Sequence, residues 1–237
     1  METVEVNKLV RLDFQGREAY KTLRSNIQFC GSDIKVIGLT SCMPNEGKSS
    51  ISLNLAIALA EAGKRVAFVD CDLRKSVIIG RYRINKALKG LTHYLSGINK
   101  EEDIIYQTNI ENLYMIFSGP VPPNPSELLG SDNFSTLIQH LSENYDYVVI
   151  DTPPIGSVID GAVIAKLCDG MVLIIEANNI SYKFAQRVKM QLEKTECRIL
   201  GVVLNKVDIS EKGYYGKYYG KYYGKYYGNY GEESVAK

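Results

Sequence analysis

The chain has 237 residues, 45% of them hydrophobic and 23% charged, which suits one globular domain carrying a tail. A net charge of +1 gives no global electrostatic case for nucleic acid, and the longest apolar runs, such as MVLII at Met171–Ile175, are strand-sized, far from the roughly 20 residues of a membrane helix. The N-terminal METVEVNKLVRLD lacks a signal-peptide apolar stretch, and five scattered cysteines (Cys30, Cys42, Cys71, Cys168, Cys197) without a C-x-x-C pair read as reduced thiols in a cytoplasm.

In chain order, Glu18–Phe29 carries Ala19, Leu23 and Ile27 four apart and reads as an amphipathic helix. VIGLTS (Val36–Ser41) is a buried strand. SSISLNLAIALAEAG (Ser49–Gly63) is a helix with Gly63 as its stop signal. Strands follow at Arg65–Asp70 and Leu113–Phe117, then a turn-rich SGPVPPNPSE and a helix over Asp132–Asn144. Tyr145–Asp151 is a strand, Ile159–Leu167 a helix, Gly170–Ala177 a strand, Ser181–Glu193 a helix, and Arg198–Asp208 contains the last strand. Near-continuous apolar strands alternating with helices predict a mostly parallel sheet covered on both faces, a three-layer α/β fold. Ligands of such sheets sit beyond the carboxyl ends of the strands. From Gly213 the composition changes to a K-Y-Y-G repeat without aliphatic residues, so the organisation expected is a domain over 1–212 and a disordered tail over 213–237.

Three strand ends carry chemistry. SCMPNEGKSS (Ser41–Ser50) lies between a strand and a helix and ends in Gly47-Lys48-Ser49, the close of a Walker A loop. Backbone N–H groups of Asn45, Glu46 and Gly47 and of the helix start, with Ser50 beside them, would face phosphates. Lys48 would reach the β- and γ-phosphates and the Ser49 hydroxyl Mg²⁺. Cys42 stands where the full motif has its first glycine. VAFVDCDLR ends a strand in Asp70 and Asp72, whose spacing in extended backbone puts both carboxylates on one side. YDYVVIDTPP ends another in Asp151. A single such aspartate is usually a cap; three beside a GKS loop point to Mg²⁺ and to a base for an attacking hydroxyl.

These motifs resemble the bacterial tyrosine kinases of capsule and exopolysaccharide synthesis, P-loop proteins unlike eukaryotic kinases, over nearly the whole chain. SCMPNEGKS is similar to that family's Walker A loop, VAFVDCDLR to its D-x-D-x-R motif, and VVIDTPP to its Walker B strand. The resemblance implies a P-loop NTPase fold using ATP and Mg²⁺. It makes Asp70 the base for a tyrosine hydroxyl, with Asp72 and Asp151 holding Mg²⁺ through its shell, and places Asn205, at the end of GVVLN, beside the adenine. Arg74 completes the motif. In an N-terminal helix (about 16–29), Glu18, Lys21 and Arg24 match the family's self-association pattern E-x-x-R-x-x-R with one change. Lys21 in place of arginine keeps the charge and loses the bidentate fork. Asn45 replaces a glycine and is among the few residues that tolerate positive φ.

The resemblance also gives the tail a purpose. The nine tyrosines Tyr214, Tyr215, Tyr218, Tyr219, Tyr222, Tyr223, Tyr226, Tyr227 and Tyr230 would be phosphoacceptors. A flexible repeat can reach a neighbouring subunit and present many acceptors. Implied partners are a transmembrane activator acting through its cytoplasmic tail, further copies of the chain in a ring, and a phosphotyrosine phosphatase. The implied location is the cytoplasm at the inner face of the membrane. Two other readings stand beside this one: a switch ATPase of the partitioning type, against which Met43 replaces an early P-loop lysine, and a nucleotide-binding scaffold without transfer activity. Read alone, the tail also suits single-stranded nucleic acid or self-association. His93 and His140 read as surface or satisfied side chains, and GLTHYLSG and PVPPNPSELL as loops at the site mouth or an interface.

Overall fold

The computed structural model describes residues 2–9, 12–84 and 89–208. In chain order, β1 (Glu2–Val4), α1 (Phe14–Phe29), β2 (Val36–Ser41), α2 (Lys48–Glu61), β3 (Val66–Asp70), α3 (Ile78–Arg81) and α4 (Leu91–Leu95) make the first half. The second holds β4 (Tyr106–Thr108), β5 (Leu113–Ile116), α5 (Pro125–Leu129), α6 (Asp132–Asn144), β6 (Tyr147–Asp151), α7 (Asp160–Ala165), β7 (Gly170–Glu176), α8 (Tyr182–Glu193) and β8 (Ile199–Asn205). The strands form one sheet in the order β1-β4-β5-β3-β6-β2-β7-β8. Among the described residues only β4 and β5 pair antiparallel.

Alternate residues of each central strand feed opposite faces, and both faces are covered. Val66 and Phe68 of β3 join Ile37, Leu39 and Val149 under α1 and α2. Ala67 and Val69 join Val148 and Ile150 under α4, α6 and α7. This is why these strands read as unbroken apolar runs. Gly38 sits within β2 because a Cβ there would lie 2.2 Å from Met171 Sδ.

Several expectations need correction. The first helix begins at Phe14, where Asp13 caps it by accepting Gly16 N–H at 2.7 Å. Its inward face is Tyr20, Leu23 and Ile27, and Ala19 is exposed. Strict fours rotate about 40° per step on a helix of 3.6 residues per turn, so i, i+3, i+7 keeps the face better. GLTHYLSG and PVPPNPSELL each contain a short helix, α4 and α5, too brief to show periodicity. His93 serves α4 by accepting Gly90 N–H at 3.0 Å, and His140 meets Glu101 at 3.1 Å. All five cysteines are free; Cys42 and Cys71 are buried and the other three half-buried. No helix among the described residues is long and apolar enough to cross a membrane. The boundary expected at 212/213, the tail and its nine tyrosines lie outside the described residues.

Candidate active site

The sheet order puts β3, β6 and β2 side by side, so their carboxyl ends meet. Asp70 pairs in register with Asp151, and Cys71 N–H donates to the Asp151 carbonyl at 2.9 Å. The loop after β2 delivers Lys48 as the first residue of α2. Lys48 Nζ donates to Asp151 Oδ1 at 2.7 Å and to Ser49 Oγ at 3.2 Å. Ser52, one turn further along α2, donates to the same Asp151 Oδ1 at 2.8 Å. Asp151 Oδ2 is buried without a hydrogen-bond partner among the described residues.

Asp70 is fully buried. Burial, followed by the nearby Asp151 carboxylate, pushes its pKa up to about 7, against the opposing effects of Ser76 and Lys48. Ser76 Oγ donates to Asp70 Oδ2, which fixes the direction of the carboxyl group. A carboxylate poised near neutrality can accept a proton from an incoming hydroxyl and later release it. Asp72 borders this cluster, and its charge adds to the upward push on Asp70. The strand ends at Asp70, so the extended-backbone expectation does not carry to Asp72; its Oδ1 accepts Lys75 N–H at 3.0 Å and its own N–H donates to Asp70 Oδ1 at 3.3 Å.

The P-loop is braced from beneath. The Glu46 carboxylate is buried and accepts Met43 N–H at 2.6 Å and Glu176 N–H, at the end of β7, at 3.1 Å. Its expected place at the phosphates is thus one for its backbone, while its side chain ties the loop to β7. Gly47 has φ +89, and a Cβ on it would stand 2.1 Å from Asn205 Nδ2. Asn205 Nδ2 donates to the Glu46 carbonyl at 2.8 Å, so this side chain holds the loop. Ser50 Oγ accepts from Arg81 Nη1 at 2.7 Å. Asn45 adopts φ +69, the left-handed region expected of it. Because asparagine is at home there, Asn45→Gly should change nucleotide affinity less than about threefold and stability by no more than about 1 kcal/mol, the loop-entropy scale. Calorimetric titration and urea unfolding check both; a tenfold tightening would show strain at Asn45.

Ser52, Ser76 and Asp160 are the parts that sequence reasoning missed. Ser52 was legible as i+4 from Lys48 on one helix face. Asp160 is fully buried at the start of α7 and receives Arg74 through Nε at 2.6 Å and Nη2 at 3.0 Å, with Ser126 Oγ at 2.5 Å. Burial raises the Asp160 pKa, but the Arg74 and Ser126 hydrogen bonds outweigh it and hold the group below the usual aspartate value. The arginine of D-x-D-x-R therefore clamps the loop after β3 to α5 and α7. Arg74→Ala should cost about 2–3 kcal/mol in urea unfolding, the scale for a buried charge losing its donors, and Arg74→Lys should recover only part of it.

On α1, Glu18 and Lys21 pair at 2.7 Å on the surface. Arg24 is half-buried and donates to the Ala58 carbonyl, in the last turn of α2, at 2.9 Å.

This geometry suits a nucleotide. The ammonium, the start of α2 and a buried carboxylate with an unused oxygen match phosphates with a hydrated cation. A model of the AAA domain matches residues 34–199. The tyrosine-protein kinase CpsD of Streptococcus agalactiae is 41% identical over 217 residues, 90% of this chain and 95% of that protein. The crystal structure of the chimerical protein CapA2B2 superposes with a TM-score of 0.78 at 34% identity, covering 86% of this chain and 93% of that one. The septum site-determining protein MinD of Pyrococcus horikoshii, complexed with Mg-ADP, superposes at 0.64 with 28% identity over 76% of this chain and 73% of that one. The chain belongs to the bacterial protein-tyrosine kinases of capsule and exopolysaccharide synthesis, nucleotide-binding enzymes built on a P-loop sheet.

Proposed function

We propose that the chain transfers the γ-phosphoryl group of ATP to tyrosines of its own 213–237 tail on neighbouring copies. The observation that carries this reading is the cluster of buried Lys48, Asp151 and Asp70, with half-buried Ser76, at three adjoining strand ends. Lys48 leaves Asp151 for the β- and γ-phosphates when nucleotide enters. Asp70, aimed by Ser76, takes the tyrosine proton. Ser49, Asp72 and Asp151 would hold Mg²⁺, which when bound supplies positive charge to the phosphate oxygens.

The finer assignments rest on the family. Glu18, Lys21 and Arg24 are read as a contact between copies in a ring, and Phe14 and Phe29, 56% and 84% exposed at the two ends of α1, support an interface there. A membrane protein with a cytoplasmic segment is read as the activator. It would bring the chain to the inner membrane face in capsule or exopolysaccharide production, with a phosphatase resetting the tail. Each added phosphate brings about −1.5 to −2 charges to a lysine-bearing tail, enough to drive it from the site.

The test is incubation of the full chain with ATP and Mg²⁺, with and without the activator segment, read by intact mass and phosphotyrosine mapping. Phosphate on Tyr214–Tyr230 that is absent in Lys48→Met is the expected result. Nucleotide hydrolysis with no phosphotyrosine under either condition would move the chain to the switch-ATPase reading.

A further inference from the structure

The first turn of α2 is approached from two sides. Lys48 and Ser52, four residues apart, both face Asp151. Ser50 stands two residues from Lys48, a rotation of about 200° on a helix of 3.6 residues per turn, so it faces away from that carboxylate. Its hydroxyl accepts Arg81 Nη1 at 2.7 Å. Arg81 is the last residue of α3, and its N–H donates to the Val77 carbonyl at 2.9 Å. The segment that follows β3 thus ends by laying a guanidinium across the start of the P-loop helix. That side chain is exposed, and no carboxylate among the described residues pairs with it. A guanidinium has five donors, and the Ser50 bond occupies one. Beside it lies Tyr82, 2% exposed, whose hydroxyl is buried with no hydrogen-bond partner among the described residues. Burial raises the Tyr82 pKa against the pull of the neighbouring Ser50 and Arg81, so the group stays protonated.

A free cation and an unpaired buried O–H thus flank the one hydroxyl on the outer side of this turn. We propose that Arg81 is a second phosphate-binding cation, reaching from the outer side of α2 to a phosphate that ADP and ATP share, the α-phosphate by position. Lys48 serves the β- and γ-phosphates from the inner side, next to Asp151, so the remaining phosphate passes the outer side of the turn, where Ser50 stands. There the free N–H groups of the helix start meet it, and the planar fork of a guanidinium matches its oxygens. In turning to the phosphate, Arg81 releases Ser50 Oγ, and the Tyr82 O–H donates to that oxygen in its place. Tyr82 is thereby a positioning residue whose hydrogen bond forms only when nucleotide is bound. This assignment rests on the reading of the P-loop as a phosphate site.

Calorimetric titration of the full chain with Mg²⁺ and either ADP or a non-hydrolysable ATP analogue tests it without turnover, with urea unfolding of the nucleotide-free chain beside it. Arg81→Ala should weaken both nucleotides alike by about tenfold, the scale of a lost hydrogen bond to a charged group. Arg81→Lys keeps the charge without the fork and should recover part of the loss. Tyr82→Phe should weaken both by about fivefold, the scale of one neutral hydrogen bond, while its nucleotide-free urea midpoint equals or exceeds that of wild type, because an unpaired buried hydroxyl is gone. An Arg81→Ala chain that unfolds earlier yet binds ADP within twofold of wild type makes Arg81 a strut and overturns the proposal. Should Arg81→Ala not fold, Arg81→Gln keeps a donor for Ser50 without the charge and decides by the same threshold. A loss confined to the ATP analogue overturns the shared-phosphate assignment, and Tyr82→Phe binding ADP as tightly as wild type overturns the hand-over. Failure of the wild type to bind either nucleotide overturns the phosphate site and this inference with it.

Discussion

Lys48→Met should abolish phosphotransfer and also unfold more easily than wild type, by about 3–5 kcal/mol in urea, the usual cost of removing one partner of a buried ion pair. Lys48 Nζ and Asp151 Oδ1 are 2.7 Å apart with side chains 6% and 1% exposed. Without the ammonium, Asp151 keeps only Ser52 and sits in register beside Asp70, another buried carboxyl. A lowered urea midpoint at constant m-value, together with lost ATP binding, is the expected pair of results. An unchanged midpoint would mean that the pair contributes nothing to the nucleotide-free fold.

Asp70→Asn should have the opposite effect on stability and the same effect on activity. The folded-state pKa of Asp70 is raised to about 7 from the ordinary aspartate value of 3.8. The folded chain therefore binds the proton more tightly than the unfolded chain, and stability falls as pH rises between those two values. The penalty is fully present above about pH 7 and absent below about pH 4. At about 1.4 kcal/mol per unit it amounts to no more than about 4 kcal/mol. A neutral amide in its place would carry no such penalty, so the nucleotide-free variant should melt higher than wild type at pH 8 and equal to it near pH 4. Transfer to tyrosine should fall by about 10²–10⁴-fold, the usual contribution of a general base. Because Asp70 and Asp151 are neighbours, Asp70→Asn should also restore part of the stability lost in Lys48→Met. A variant that is both less stable and fully active would remove Asp70 from its assigned role.

Much of this was legible because parallel sheets concentrate chemistry at strand ends. GKS between a strand and a helix, and aspartates ending VAFVD and YVVID, could be placed before any coordinates, and Asp70, Asp151 and Lys48 do meet. Local periodicity could not show partners far apart in the chain. Asp160 lies 86 residues from Arg74, and Lys206 lies 161 from Asn45. Ser76 was hidden in a turn with no pattern of its own. Short elements failed for a related reason: β1 has three residues and α3 four, barely more than one period each, too little for a pattern to repeat. The extended-backbone argument that put Asp70 and Asp72 on one side does not hold, because the strand ends at Asp70 and side-chain alternation ends with it.

The most direct measurement mixes two defective chains. One, ending at Lys212, keeps the site and lacks the acceptors. The other, full-length Lys48→Met, keeps the acceptors and lacks the site's ammonium. Incubated together with ATP, Mg²⁺ and the activator segment, they should place phosphate on Tyr214–Tyr230 of the Lys48→Met chain, and neither chain alone should acquire any. Absence of phosphotyrosine in the mixture, with the truncated chain still binding ATP, would contradict transfer between copies.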